Sequence, residues 1–174
     1  MKRLYLLRHA KAEPPDDESR DHGRVLTVRG LHDAAAMARY LARHGMVPAL
    51  LFASTAMRTR QTAELVLHEM HPPPPAVWRE GLYLAGAGDI LALVQMLPDH
   101  LESVMVVGHN PGLEVLASLL ARTPAARKEQ AWRDALEEKF PTAALAVLDF
   151  DVEQWQRLGP GEGVLTGFVR PKDL

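Results

Sequence analysis

Three short apolar runs punctuate the chain, and each breaks off at a similar set of polar side chains. Leu4-Tyr5-Leu6-Leu7 ends at Arg8-His9, Leu50-Leu51-Phe52-Ala53 at Ser54-Thr55 and then Arg58, and Val104-Met105-Val106-Val107 at Gly108-His109-Asn110. Four consecutive apolar residues bounded by polar ones predict a buried strand. Between the runs the period lengthens. Leu31, Ala34, Ala35, Ala38, Leu41 and Ala42 fall at helical spacing, with Thr27 as cap and Gly45 as stop. A second helix is expected to begin near Ser54-Thr55, with Ala63, Val66 and Leu67 facing inward and Arg58 in or just before its first turn. Prolines 72–75 end it as a stiff connector, and an extended segment follows over 76–84. Asp89 is expected to cap a helix marked by Ile90, Leu93, Val94 and Leu97, and a further helix carries Leu113, Leu116, Leu119 and Leu120. Residues 123–141 are polar and mixed, with Trp132 and Leu136 indicating a short helix or an ordered flap. Segments 145–150 and 163–169 complete the strands. Residues 11–24 lack periodicity and read as a loop leaving the first strand.

Strands alternating with helices predict one α/β domain over residues 1–174, a three-layer sandwich with a mostly parallel central sheet flanked by helices. If the three apolar runs are parallel neighbours, their carboxyl ends share an edge, where open α/β sheets place ligands. Arg8, His9, Arg58 and His109 then converge. Such a cluster repels itself unless an anion fills it, and the planar fork of arginine suits phosphate oxygens.

Composition narrows the partners. A formal net charge of −2 leaves no basic footprint, which argues against nucleic acid or an anionic membrane as the main partner. With no cysteine there can be no disulfide or thiolate metal site. Met1-Lys2-Arg3 before an apolar run superficially resembles a secretory leader, but four apolar residues are too few for its core, and no run approaches membrane-spanning length. The chain is therefore expected to be cytoplasmic and mature as written. At 174 residues it can bury roughly 70% of its unfolded surface and needs no metal to hold it together.

A neutral imidazole is a competent nucleophile near neutral pH, so one histidine can take a phosphoryl group covalently. The arginines would hold the equatorial oxygens, the electrostatic contribution that dominates phosphoryl transfer. The second histidine can donate to those oxygens or to the leaving group. No metal or cofactor is required.

The motifs carrying these residues resemble those of the histidine phosphatase superfamily, the phosphoglycerate-mutase-like fold. Arg8-His9-Ala10 is similar to its Arg-His-Gly, Ser54-Thr55-Ala56-Met57-Arg58-Thr59-Arg60-Gln61-Thr62-Ala63 to its Ser-x-x-x-Arg-x-x-Gln-Thr-Ala, and Gly108-His109-Asn110-Pro111 to its Gly-His-x-Pro. Arg24-Val25-Leu26-Thr27-Val28-Arg29-Gly30 resembles its Arg-Pro-Leu-Thr-x-x-Gly. The Arg-His-Ala-Lys start, the small size and the ending Phe168-Val169-Arg170-Pro171-Lys172 are similar to SixA-type phosphohistidine phosphatases. The resemblance implies that His9 becomes phosphohistidine and that Arg8, Arg58 and His109 form the phosphate pocket.

Two departures stand out. Ala10 replaces the signature glycine, so the backbone there must accept a Cβ. The proton donor of the mutase and phosphomonoesterase branches is matched only by Glu80, which is either that donor or a solvated surface carboxylate. Arg24 either reaches the phosphate or serves as an ion-pair partner, and Asn110 either contacts substrate or forms the turn before Pro111. His68 and His71 have metal-like spacing without further ligands and are expected at the surface. An imidazole leaving phosphohistidine needs less protonation than an alkoxide, so an ill-defined acid favours a phosphohistidine-bearing protein as partner. The alternatives are a phosphatase of small phosphate esters, for which Glu80 would be essential, and a silent phosphoprotein-binding module.

Overall fold

The computed structural model describes residues 1–174, apart from the side chains of Glu18 and Ser19. In chain order the elements are β1 (Lys2–Arg8), α1 (Val28–Arg43), β2 (Leu50–Ser54), α2 (Met57–Glu69), β3 (Ala76–Arg79), α3 (Ala87–Gln95), β4 (Ser103–Gly108), α4 (Gly112–Leu120), α5 (Arg127–Glu138), β5 (Leu145–Phe150) and β6 (Val164–Val169). The strands form one sheet in the order β3-β2-β4-β1-β5-β6. β3, β2, β4 and β1 are mutually parallel, β5 runs antiparallel to β1, and β6 antiparallel to β5.

The continuous apolar runs exist because both sheet faces are covered. Leu4 and Leu6 of β1 and Val104 and Val106 of β4 pack with Ile90 and Val94 of α3, Leu113 and Leu116 of α4 and Leu136 of α5. The alternate residues Tyr5, Leu7, Met105 and Val107 face Met37, Ala38 and Leu41 of α1 and Ala63 and Val66 of α2. Each such side chain taken from water contributes roughly 1.5–3 kcal/mol. The three-layer α/β arrangement expected of the sequence is thus observed. No helix among the described residues is long and apolar enough to cross a membrane.

Three local expectations are corrected. α2 begins at Met57, because Ser54 completes β2 and its hydroxyl accepts from the Ala56 N–H at 3.2 Å. α3 begins behind Gly86, with Asp89 inside its first turn, where the helix dipole still favours a carboxylate. Segment 76–84 is extended only as far as Arg79 and then makes a tight helical turn over Glu80–Leu82. Residues 123–141, expected as a short helix or an ordered flap, form the helix: the twelve-residue α5 buries Leu136 and packs Trp132 against the core, so this segment covers the sheet. Thr27 does cap α1, its hydroxyl accepting from the Gly30 N–H at 2.9 Å.

The loop after β1 is pinned to the start of α1. The Lys11 carbonyl accepts from the Thr27 backbone N–H at 2.9 Å and from the Thr27 hydroxyl at 3.3 Å. A Cβ on Gly30 would lie 2.0 Å from that carbonyl oxygen, a contact no side chain can make. Gly30→Ala is therefore expected to lower unfolding free energy by about 1–3 kcal/mol or more. Gly23→Ala, where a Cβ meets nothing within 4 Å, is expected to cost far less, and urea denaturation of the two variants checks the contrast.

Candidate active site

Arg8 is the last residue of β1, and its partner across the parallel pairing is Gly108, the last residue of β4. The next residue of each strand is a histidine. The His9 N–H donates to the Gly108 carbonyl at 3.1 Å, and the two imidazole centroids lie 5.3 Å apart. Arg58, second residue of α2, enters from the end of the adjacent β2 with only 3% of its side chain exposed. Arg8, His9, Arg58 and His109 line one cavity of about 390 Å3, together with Asp21, Arg24 and Asn110. Glu80 does not line it. That residue is exposed at the start of the turn after β3, and the carboxylate at the cavity is Asp21.

Hydrogen bonds assign the imidazole protons. His9 Nδ1 lies 2.7 Å from the Ala10 carbonyl oxygen, which can only accept, so Nδ1 carries the hydrogen and Nε2 keeps its lone pair. His109 Nε2 lies 2.8 Å from the Ser54 hydroxyl. That oxygen also accepts from the Ala56 N–H, and among the described residues Nε2 is the one acceptor offered to its hydrogen, so pairing the hydroxyl hydrogen with Nε2 leaves the proton of His109 on Nδ1. His109 Nδ1 is buried without a partner, as are Arg8 Nε and Arg58 Nε. With that tautomer these are three N–H donors to which the described residues offer no acceptor.

Burial, more than any neighbouring charge, disfavours the imidazolium forms. It lowers His9 to about 4, with the Arg58, Arg8 and Arg24 charges adding to the effect and the Ala10 hydrogen bond opposing it. His109 falls to about 3, again first through burial and then through His9 and Arg58. Both rings are neutral at neutral pH.

Asp21 is tied from three sides. Its carboxylate accepts from Arg58 Nη2 at 3.1 Å, from Arg24 Nη1 at 3.1 Å and from the Tyr83 hydroxyl, while its backbone carbonyl accepts from Arg58 Nη1 at 2.8 Å. The Tyr83 hydrogen bond, followed by those of the arginines, lowers its carboxyl to about 2, so Asp21 is ionised. Arg24 thus lines the cavity and makes an ion pair as well. Asn110 is largely committed to the fold: its amide donates to the Phe140 carbonyl at 2.9 Å, and its oxygen accepts from the Glu114 N–H at 3.2 Å, capping α4. The Phe140 carbonyl also accepts from Arg8 Nη1 at 3.0 Å, so the end of the 123–141 segment supports the site. Ala10 is wholly buried among Leu26, Ala34 and Ala143, which accommodate its Cβ, and its N–H donates to Thr62 Oγ1 at 3.0 Å.

Asp21, Tyr83, Ser54 and Thr62 were not singled out as site residues by the pattern of the chain. Ser54 and Thr62 lie inside the motif around Arg58, which is the signal that could have found them. Asp21 stands three residues before Arg24, the spacing of a turn-borne ion pair. Among the described residues no group of three histidines, aspartates or glutamates could hold a metal ion, and His68 and His71 are both exposed.

Comparison with known proteins agrees with this geometry. The histidine phosphatase superfamily (branch 1) matches residues 4–83. An uncharacterised protein of Mycobacterium tuberculosis is 33% identical over 166 residues, covering 95% of this chain and all of the relative. The crystal structure of the putative phosphohistidine phosphatase SixA from Agrobacterium tumefaciens superposes with a TM-score of 0.79 at 32% identity, covering 98% of both chains. The structure of the putative SixA from Nakamurella multipartitia gives 0.80 at 30% identity, covering 98% of this chain and 96% of the other. The chain belongs to the histidine phosphatase superfamily. Within that class its type is SixA, and it is a phosphatase.

Depressed imidazole values link the site to stability. Below the ordinary histidine value the unfolded chain binds protons that folded His9 and His109 refuse. Stability is therefore complete above about pH 6.5 and is expected to fall as pH drops from there towards about 4 and 3. In NMR titrations of the eight histidines, these two rings are expected to show no protonation between about pH 5 and 8, which His9→Gln and His109→Gln variants would assign.

Proposed function

We propose that the protein is a metal-independent phosphohistidine phosphatase, acting on phosphohistidine borne by another protein and passing through a covalent phosphohistidine at His9 Nε2. The observation that carries this reading is a neutral His9 with its proton fixed on Nδ1, among unpartnered donors and with no protonated carboxyl at hand.

The substrate ring takes a proton from water on the nitrogen that does not carry phosphorus. The Nε2 lone pair of His9 attacks phosphorus, the substrate P–N bond breaks, and the substrate imidazole departs neutral. Arg8, Arg58 and the Nδ1–H of His109 stabilise the charge on the equatorial oxygens during transfer. Phosphorylated at Nε2 while still protonated at Nδ1, His9 is itself a good leaving group. Water then attacks phosphorus, the P–Nε2 bond breaks, phosphate and a proton leave, and His9 returns to its starting tautomer.

An ester substrate fits this site less well. Its alkoxide must be protonated as it leaves, yet Asp21 is held at about 2 and Glu80 lies outside the cavity. A silent binding module would not require the nucleophile to be kept neutral. We place the activity in the cytoplasm, which a chain without cysteines suits.

Phosphate release from a phosphohistidine-bearing protein is expected to persist in EDTA and to exceed release from small esters. It should fall by about 10³-fold or more in His9→Ala. Glu80→Gln is expected to change the rate less than about twofold. Faster turnover of esters, or a large loss in Glu80→Gln, would overturn the reading.

A further inference from the structure

The ending Arg170-Pro171-Lys172 has no part in the chemistry above. It forms one wall of a second cavity, of about 310 Å3, lined also by Lys11, Arg29, Asp33, Lys139 and Thr142. Lys11 and Thr142 line the phosphate cavity as well, so the two adjoin. The groove gathers five cations against one carboxylate on a chain whose formal net charge is −2, and it holds three of the five lysines in the sequence.

The arginines there are already engaged. Arg170 makes a forked pair with Asp173, at 2.9 and 3.0 Å, and Arg29 lies 3.7 Å from Asp33. The lysines are exposed, and among the described residues none of their ammonium groups makes an ion pair or hydrogen bond. Flexible, hydrated lysine charges suit a run of carboxylates held loosely, whereas the tight phosphate site beside them uses arginines, whose forks impose geometry.

We propose that this groove is a docking site for an acidic segment of the phosphoprotein substrate, adjacent to its phosphohistidine. The proposal rests on the reading of the substrate as a protein. Complementary charge at such a rim raises encounter rate and selectivity more than it alters the chemical step, and salt screens it.

The test uses two synthetic peptides, each with one phosphohistidine, flanked in one by glutamates and in the other by glutamines. The native enzyme is expected to show a KM about tenfold lower for the glutamate peptide, a preference that fades as salt rises. Lys139→Glu with Lys172→Glu should abolish the preference while leaving phosphoramidate hydrolysis within about twofold. Absence of the preference in the native enzyme, its survival in the variant, or an equal loss on phosphoramidate would overturn the proposal. A second arm needs no turnover: fluorescence anisotropy of His9→Ala protein with the unphosphorylated peptides. If neither phosphopeptide is hydrolysed, the proposed function fails, and docking is judged on that arm alone. Preferential binding of the glutamate peptide, lost in the lysine variant, upholds docking, and equal binding of both peptides overturns it.

Discussion

The pairing of Arg8 with Gly108 across two parallel strands is the constraint on which the site depends. It is imposed by the core and not by the polar residues themselves. Leu4 and Leu6 must face α3 and α4 while Tyr5 and Leu7 face α1 and α2, and the same alternation in β4 places Val104 and Val106 opposite Met105 and Val107. A slip of one residue would turn every one of these side chains to the other face, exchanging two differently shaped sets of helix contacts. The packing therefore fixes the register, and the register delivers His9 and His109 from neighbouring strands at a centroid separation of 5.3 Å. Interlocked side chains tolerate little displacement, which is what positioning a nucleophile requires.

Burial has an electrostatic consequence. Two arginines, with Arg24 at the rim, would be difficult to hold beside two imidazolium rings. Removing the rings from water leaves them neutral, so burial reduces the repulsion that would oppose assembly and keeps His9 in the form the proposed nucleophile needs. Asp21 takes part in the balance by binding Arg58 through side chain and backbone and by drawing Arg24 to the same carboxylate. The arginines are thus oriented before any phosphoryl group arrives.

The central strands and the four polar residues at their ends were legible because an apolar run that stops at arginine or histidine carries those side chains to the rim of the core, where a ligand can use them. The remaining partners were hidden by distance along the chain. Tyr83 reaches Asp21 across 62 residues and Ser54 reaches His109 across 55, and no local pattern announces either contact. Glu80 was misleading for a related reason. The turn over Glu80–Leu82 carries Tyr83 to the site and leaves Glu80 in solvent, a difference of three positions that depends on backbone geometry. Ser54 and Thr55 looked like a helix start because serine and threonine favour caps, but the Ser54 hydroxyl was needed by His109.

Under the proposed function, the Ala10 carbonyl links the tautomer of His9 to the choice of substrate. It holds the His9 proton on Nδ1, and in the mechanism we propose that proton would serve both halves of the reaction. In the first half it would leave the Nε2 lone pair free to attack phosphorus. In the second it would make phosphorylated His9 a cationic donor that departs as neutral imidazole. Neither half calls on a carboxylic acid, provided the substrate leaving group can carry its own proton, as an imidazole can and an alkoxide cannot. With Glu80 outside the cavity and Asp21 ionised, the missing acid would act as a selection rule under the proposed mechanism. A pocket able to stabilise any phosphoryl group would then favour leaving groups that arrive already protonated.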